Sequence, residues 1–231
     1  YVTAGPSWTP SRRYVFNYDG AIYLTSDNLY KFDYNLNVLS SIWWLGPNWI
    51  AVAPSGKKWV VGPVLRDSYK HLYYYIYSPD FSTQEKYDRF KDYNGVTRPD
   101  ENPQIYFDRD GYGILIARSS LLKVNPDGTP YYLFTWRNLP DVARVADVGD
   151  YLVVAFASPK PFAGLLNKYT LVFEHNVTLG MSLAIGGKIP YDPQSKTVYI
   201  VGHRSYGQRN FTVVVYAVRV GFDAPAPPML P

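Results

Sequence analysis

A short grammar recurs along this chain: a tight turn, an apolar strand, a second turn and another apolar strand. Asp19-Gly20-Ala21-Ile22-Tyr23-Leu24 with Leu29-Tyr30-Lys31-Phe32-Asp33 returns as Asp110-Gly111-Tyr112-Gly113-Ile114-Leu115-Ile116 with Leu121-Leu122-Lys123-Val124-Asn125. Three looser copies pair Lys58–Gly62 with Tyr73–Tyr77, Tyr151–Ala155 with Tyr169–Phe173, and Thr197–Val201 with Phe211–Tyr216. Taking Phe32, Ile76, Val124, Val172 and Val215 as equivalent points, the intervals are 44, 48, 48 and 43 residues. A unit of that length cannot bury its own apolar faces alone, so the repetition demands stacked neighbours.

The apolar runs are short, rich in Val, Ile, Tyr and Phe, and bounded by Gly, Pro, Asn and Asp, which is strand chemistry. One helical turn is expected within Ser82–Tyr93, where Gln84, Glu85, Lys86 and Arg89 follow a strand. Each copy is preceded by a further apolar stretch, Arg13–Tyr18, Asn48–Ala53, Pro103–Asp108, Val142–Asp147 and Leu183–Ile189, read as innermost strands. Four copies are followed by an outer strand, near Leu36–Ile42, Ser82–Tyr87, Tyr131–Trp136 and Val177–Met181. The fifth runs instead into Ala224-Pro225-Ala226-Pro227-Pro228-Met229-Leu230-Pro231, and proline cannot donate to a sheet ladder. Tyr1-Val2-Thr3-Ala4 is expected to cross over and supply the missing strand, protecting the open edge.

On the blocks Asp19–Asp33 and Asp110–Asn125, the repeat resembles blades of the β-propeller superfamily, nearest to YVTN-type and NHL-type repeats and without a Trp-Asp signature. The resemblance implies an all-β, five-bladed β-propeller of four-stranded antiparallel blades over residues 1–222, its ring closed by the N-terminal strand. Residues 223–231 form a Pro-rich extended tail, readable as an arm whose Met229 and Leu230 dock on the ring or on a neighbouring subunit.

Composition narrows function by exclusion. The chain has 231 residues, 47% hydrophobic and 18% charged, enough apolar surface for a core. It has no Cys, which removes disulfides, thiolate metal sites and a cysteine nucleophile, and its three His, at 71, 175 and 203, are scattered. The net charge of +4 is spread along the chain, so nucleic acid is not indicated, and no apolar run is long enough for a membrane helix. A start at Tyr1 without a charged-then-apolar leader reads as a processed or trimmed end. With the sequons Asn176-Val177-Thr178 and Asn210-Phe211-Thr212, this points outside the cell, to a cell surface or to a virion surface.

Strand assignment also sorts the connections. Minimal turns gather at one end: Tyr18-Asp19-Gly20, Asp33-Tyr34-Asn35, Pro54-Ser55-Gly56, Ser78-Pro79-Asp80, Arg109-Asp110-Gly111, Asn125-Pro126-Asp127-Gly128 and Val148-Gly149-Asp150. Long connections gather at the other, over 62–72, 89–102, 157–168 and 202–210, with charges of +1, 0, +2 and +2. Long loops on a rigid frame are where binding concentrates. Candidate binding residues are therefore Arg66, Tyr69, His71, Tyr93, Arg98, His203, Arg204, Tyr206 and Arg209, with Lys160, Phe162 and Lys168 among their neighbours.

Signs of catalysis are weak. Asp108-Arg109-Asp110-Gly111-Tyr112-Gly113 begins like a calcium loop but has Tyr112 at position five and Ser119 at position twelve, so a hairpin turn is expected and no metal or cofactor. Five-bladed hydrolases place paired carboxylates on inner strands, and Glu101 with Asp141 is a poor match. The expected function is a non-enzymatic interaction or structural module that recognises a protein or glycan through its long-loop face, with self-assembly through the termini a further option. The alternative is a glycosidase- or lactonase-like hydrolase using the central funnel.

Overall fold

The computed structural model describes residues 14–25, 28–43, 49–66, 69–90, 103–117, 120–136, 142–157, 160–183, 188–206 and 211–221. The chain divides into two compact units, Tyr1–Leu139 and Pro140–Pro231. All the regular structure described is β-strand.

Three four-stranded antiparallel meanders make up the first unit. The first joins β1 (Tyr14–Tyr18), β2 (Ala21–Thr25), β3 (Asn28–Phe32) and β4 (Val38–Trp43). The second joins β5 (Trp49–Val52), β6 (Lys58–Arg66), β7 (Tyr69–Tyr77) and β8 (Gln84–Arg89). The third joins β9 (Gln104–Phe107), β10 (Gly113–Ala117), β11 (Ser120–Val124) and β12 (Pro130–Trp136). The core between them is aromatic. Trp49 packs edge-on against Phe16 at 5.1 Å and against Tyr106 at 5.6 Å, and its indole N–H donates to the Ile105 carbonyl at 3.2 Å. Trp59 stacks on Tyr74 at 5.4 Å and meets Phe107 edge-on at 5.5 Å. Each ring fills large volume with few rotatable bonds, so a few of them tie three sheets together.

The second unit holds a four-stranded meander of β13 (Val142–Val148), β14 (Tyr151–Phe156), β15 (Phe162–Asn167) and β16 (Phe173–Thr178). Beside it lies a three-stranded sheet of β17 (Tyr191–Asp192), β18 (Thr197–Ser205) and β19 (Phe211–Arg219). Here the core is mostly small and aliphatic: Ala143, Ala146, Val148, Val153, Ala155, Leu179, Met181, Val198 and Ile200 among others. Ser182 exchanges both backbone hydrogen bonds with His203. The segment before β17 thus reaches the inner edge of β18 at both ends, near the innermost strand expected at Leu183–Ile189.

The seven tight turns marked in the sequence lie where expected, an eighth at 168–171 falls where a strand was expected, and each holds a residue in the left-handed region. Gly20, Gly56, Gly111 and Gly149 have φ of 72°, 80°, 87° and 64° in the first-to-second-strand turns. In the third-to-fourth-strand turns the same role falls to Leu36, Phe81, Gly128 and Leu171, at 64°, 67°, 86° and 54°. Three bulky residues in that region are structural echoes of one repeat position, although the sequence carries no glycine there.

Several expectations change. Residues 62–72 are not a loop: β6 and β7 pair continuously from Lys58↔Tyr77 to Arg66↔Tyr69. Likewise β18 and β19 pair from Thr197↔Arg219 to Ser205↔Phe211, so 202–210 is mainly hairpin. Backbone pairing continues from Pro63↔Leu72 to Arg66↔Tyr69 and from Gly202↔Val214 to Ser205↔Phe211, past the point where the flanking strands stop. In the fourth copy the third strand is Phe162–Asn167, not Tyr169–Phe173, because 168–170 turns and Phe173 already opens β16. The helical turn expected in Ser82–Tyr93 is a strand over Gln84–Arg89, its register fixed by pairing with β7; residues 91–93 lie outside the described residues. Tyr1–Ala4 and the tail 223–231 also lie outside them.

Candidate functional site

Within each unit, the two ends of the sheets differ in chemistry. At the tight-turn end, lysines bind turn carbonyls and carboxylates of neighbouring strands. Lys58, only 1% exposed, donates to the Pro79 carbonyl and pairs with Asp19 at 2.7 Å. Lys31 donates to the Asp80 carbonyl and Lys86 to the Asp127 carbonyl, linking each sheet to the next turn. Lys123 meets buried Asp108 at 3.1 Å and lies over the Tyr112 ring.

The turn carboxylates face inward on their own loops. Asp80 accepts from the Ser82 amide and from the hydroxyls of Ser78 and Ser82, which hold its acid constant down at about 2. Hydrogen bonds from Asn37 and Thr129 likewise lower Asp33 and Asp127. Asp108 accepts from the amides of Asp110 and Tyr112, so the calcium-like stretch is a hairpin turn. Among the described residues no three His, Asp or Glu side chains converge as a metal-ligand set. These groups are occupied with structure.

In each unit the opposite end carries one long hairpin of two nine-residue strands, β6–β7 in the first and β18–β19 in the second. In the first unit, register pairs Arg66 with Tyr69 and Val64 with His71 at the tip of β6–β7, beyond the last residues held by β5 and β8. In the second unit, His203, Arg204 and Tyr206 stand exposed on β18 and just after it. Arg204 Nε donates to the Gly180 carbonyl at 2.6 Å and its Nη2 to the Tyr216 hydroxyl at 3.3 Å, while the Gly180 amide donates to that hydroxyl at 3.1 Å. The Gly180 amide and the guanidinium lower the Tyr216 phenol, and hydrogen bonds to Tyr216 and Tyr206 raise Arg204. A Cβ at Gly180 would lie 3.0 Å from the Tyr216 hydroxyl and 3.1 Å from Arg204 Nη2, so glycine leaves the room in which this cluster assembles.

The predicted binding residues thus divide. Arg66, Tyr69 and His71 share one hairpin tip, and His203, Arg204 and Tyr206 another; Tyr93, Arg98 and Arg209 lie outside the described residues, as do Glu101 and Asp141. Lys168, expected among the basic loop residues, is 3% exposed at the tight-turn end, where it pairs with Asp147 at 2.6 Å. The shift follows from the early third strand, which turns the chain at 168 instead of beginning a strand there. Lys160 and Asn176 are exposed, and Asn210 lies outside the described residues.

Sequence reasoning missed Gly180 and Tyr216, whose partnership with Arg204 spans sequence separations that no local pattern reveals. It also missed a cleft of about 200 Å³ in the second unit, floored by Val153, Ala163, Leu165, Val218 and Val220.

No protein-family model matches the chain, and no curated protein matches it. Solved structures do. A protein of unknown function from Bacteroides caccae is 15% identical with a TM-score of 0.59, covering 82% of this chain and 69% of the other. The Pan2 WD40 domain of Neurospora crassa is 9% identical at 0.58, with 82% of this chain matched to 58% of that one. The extracellular domain of a one component system from B. thetaiotaomicron is 12% identical at 0.54, with 82% matched to 26%. This chain therefore spans little over half of the second and a quarter of the third. At such identities the likeness concerns the fold: four-stranded antiparallel sheets of the β-propeller type.

Proposed function

We propose that this chain is a non-enzymatic interaction module that works outside the cell, recognising a protein or glycan through its projecting hairpins. The observation that carries this reading is the Arg204–Tyr206–Tyr216 cluster. It sets a guanidinium between two phenols on an exposed strand, with His203 beside it. Guanidinium and phenol groups are favoured at recognition surfaces because they offer donors, planar contact area and low ordering cost. The likeness to an extracellular domain supports the location, and no helix among the described residues is long and apolar enough to cross a membrane.

The finer architecture belongs to the same proposal: five blades in one ring, with Tyr1-Val2-Thr3-Ala4 as the outer strand of the last. Its support is β19, which pairs with β18 and has no second partner strand among the described residues. Amide exchange on the full chain and on a chain lacking residues 1–4 tests it. Protection of β19 that disappears on deletion is expected; β19 amides exchanging freely in the full chain would overturn closure.

For recognition, the full chain and Tyr206→Ala are to be compared on a broad glycan array and against glycan-bearing proteins. Selective binding that the variant loses by tenfold or more, an effect of the size expected for an interface anchor, is the expected result. No binding on either panel, or binding indifferent to Tyr206, would contradict the proposal.

A further inference from the structure

Charge is segregated within the second unit. Its carboxylates among the described residues all lie at the tight-turn end: Asp147 and Asp150 at the β13–β14 turn, Glu174 held by the Asn167 side-chain amide, and Asp192 at the β17–β18 turn. The hairpin end is the reverse. Residues 157–162, 179–183 and 202–212 contain Lys160, Arg204 and Arg209 and no Asp or Glu. Exposed Lys160 precedes Pro161, whose carbonyl takes the Leu179 amide at 2.7 Å, so this lysine borders the segment that carries Gly180. From Thr197, opposite Asp192, to Arg204 the strand runs seven residues, about 23 Å at roughly 3.3 Å each, well beyond the ~8 Å over which charges are felt through salt water. Asp192 therefore does little to offset Arg204.

The Arg204 cluster also has donors left over. The Tyr216 hydroxyl accepts from the Gly180 amide at 3.1 Å and from Arg204 Nη2 at 3.3 Å, which fills both lone pairs and leaves only its proton to give. Of the five guanidinium N–H groups, one goes to the Gly180 carbonyl, one to Tyr216 and one to Tyr206, so two remain. Arg204 and Tyr216 project from one face of the hairpin, because 204 alternates back to the side of Ile200, which pairs with Tyr216. Gly180 and Tyr216 already hold the guanidinium, so a ligand need not order it. A sugar hydroxyl would bring a proton as well as lone pairs; a carboxylate brings acceptors alone.

We propose that the ligand of this end is an acidic glycan, with Arg204 and the Tyr216 hydroxyl taking the carboxylate of a uronic acid and the Tyr206 ring lying against its pyranose. This rests on the recognition reading above and narrows its ligand. A planar carboxylate matches a guanidinium in shape and charge. A uronate fixes that group to a ring with an apolar C–H face, which suits an exposed phenol beside an arginine, and Tyr206 is 67% exposed. An Asp or Glu side chain of a protein partner must instead lose rotamer freedom to present the same group. Lys160 adds attraction at longer range.

The test is calorimetric titration of the full chain with galacturonate, glucuronate and mannuronate trimers, each beside its methyl ester, and with pentaglutamate. At least one acid trimer is expected to bind about tenfold more tightly than its ester, the size of one charge-assisted hydrogen bond, with affinity falling as salt rises. Arg204→Gln is expected to abolish that preference and Tyr216→Phe to weaken the acid several-fold; the ester comparison needs no variant and holds even where a variant fails to fold. Esters bound as tightly as acids, or no trimer bound while other glycans bind through Tyr206, would overturn the uronate and leave recognition standing. Pentaglutamate bound in place of the trimers would overturn it in favour of a protein partner. No binding to these ligands or to the wider panels would overturn both readings.

Discussion

Two hairpins of equal length, β6–β7 and β18–β19, have opposite surroundings. Both run nine residues against nine. The first is flanked by β5 on one edge and β8 on the other, and Trp59, Val60, Val61, Tyr73, Tyr74 and Ile76 are all buried along it. The second touches β17 over two residues, and Val213 and Val215 are 62% and 56% exposed. Neighbouring strands, not hairpin length, set how much of each hairpin is buried. An apolar strand such as β19, with no second partner strand among the described residues, is a position that a partner strand is expected to cover.

That contrast predicts unequal costs. Trp59→Ala removes a ring packed on Tyr74 and Phe107 and should cost about 3–5 kcal/mol, whereas Val215→Ala should stay within about 1 kcal/mol. Denaturant titration of both variants checks this, and comparable losses would erase the distinction between the hairpins.

The next largest effect is alkaline. Burial pushes Tyr23, Tyr74 and Tyr77 in the first unit up to about 12. A phenol whose folded constant is raised stabilises the fold fully below its unfolded value near 10 and loses that contribution as pH climbs from about 10 towards 12. The aromatic first unit should therefore lose stability in that window. Tryptophan emission should report it, because Trp49 and Trp59 both belong to this unit.

The smallest effects are at the turns. Gly128→Ala should cost about 1–3 kcal/mol, because its φ is 86° and a Cβ would lie 2.5 Å from the Tyr74 ring. Leu36→Gly should instead stabilise by about 1 kcal/mol, since exposed Leu36 holds φ 64°. Melting curves of the two variants should move in opposite directions.

Much of the fold was legible because turn chemistry is local. Asp19-Gly20, Ser55-Gly56, Asp110-Gly111 and Asp127-Gly128 each mark a real reversal, and the apolar runs between them are strands. The fourth copy misled because Tyr169–Phe173 has strand composition, while Asn167 caps a turn there by accepting the amides of Tyr169 and Thr170. Hairpin length was illegible because Pro63 and Gly62 suggested a loop, yet both sit in the β6 ladder. The Arg204 cluster was half visible: the arginine and Tyr206 stood out in the sequence, but Gly180 and Tyr216 join them only through folding.

The central claim is that the hairpin end, not the tight-turn end, recognises a partner. Tyr206 and Tyr34 are exposed to similar degrees, 67% and 60%, one at each kind of end. Measuring the affinity of Tyr206→Ala and Tyr34→Ala for the strongest array ligand compares those ends directly. The account predicts at least a tenfold loss for Tyr206→Ala and an unchanged affinity for Tyr34→Ala; loss confined to Tyr34→Ala would contradict it.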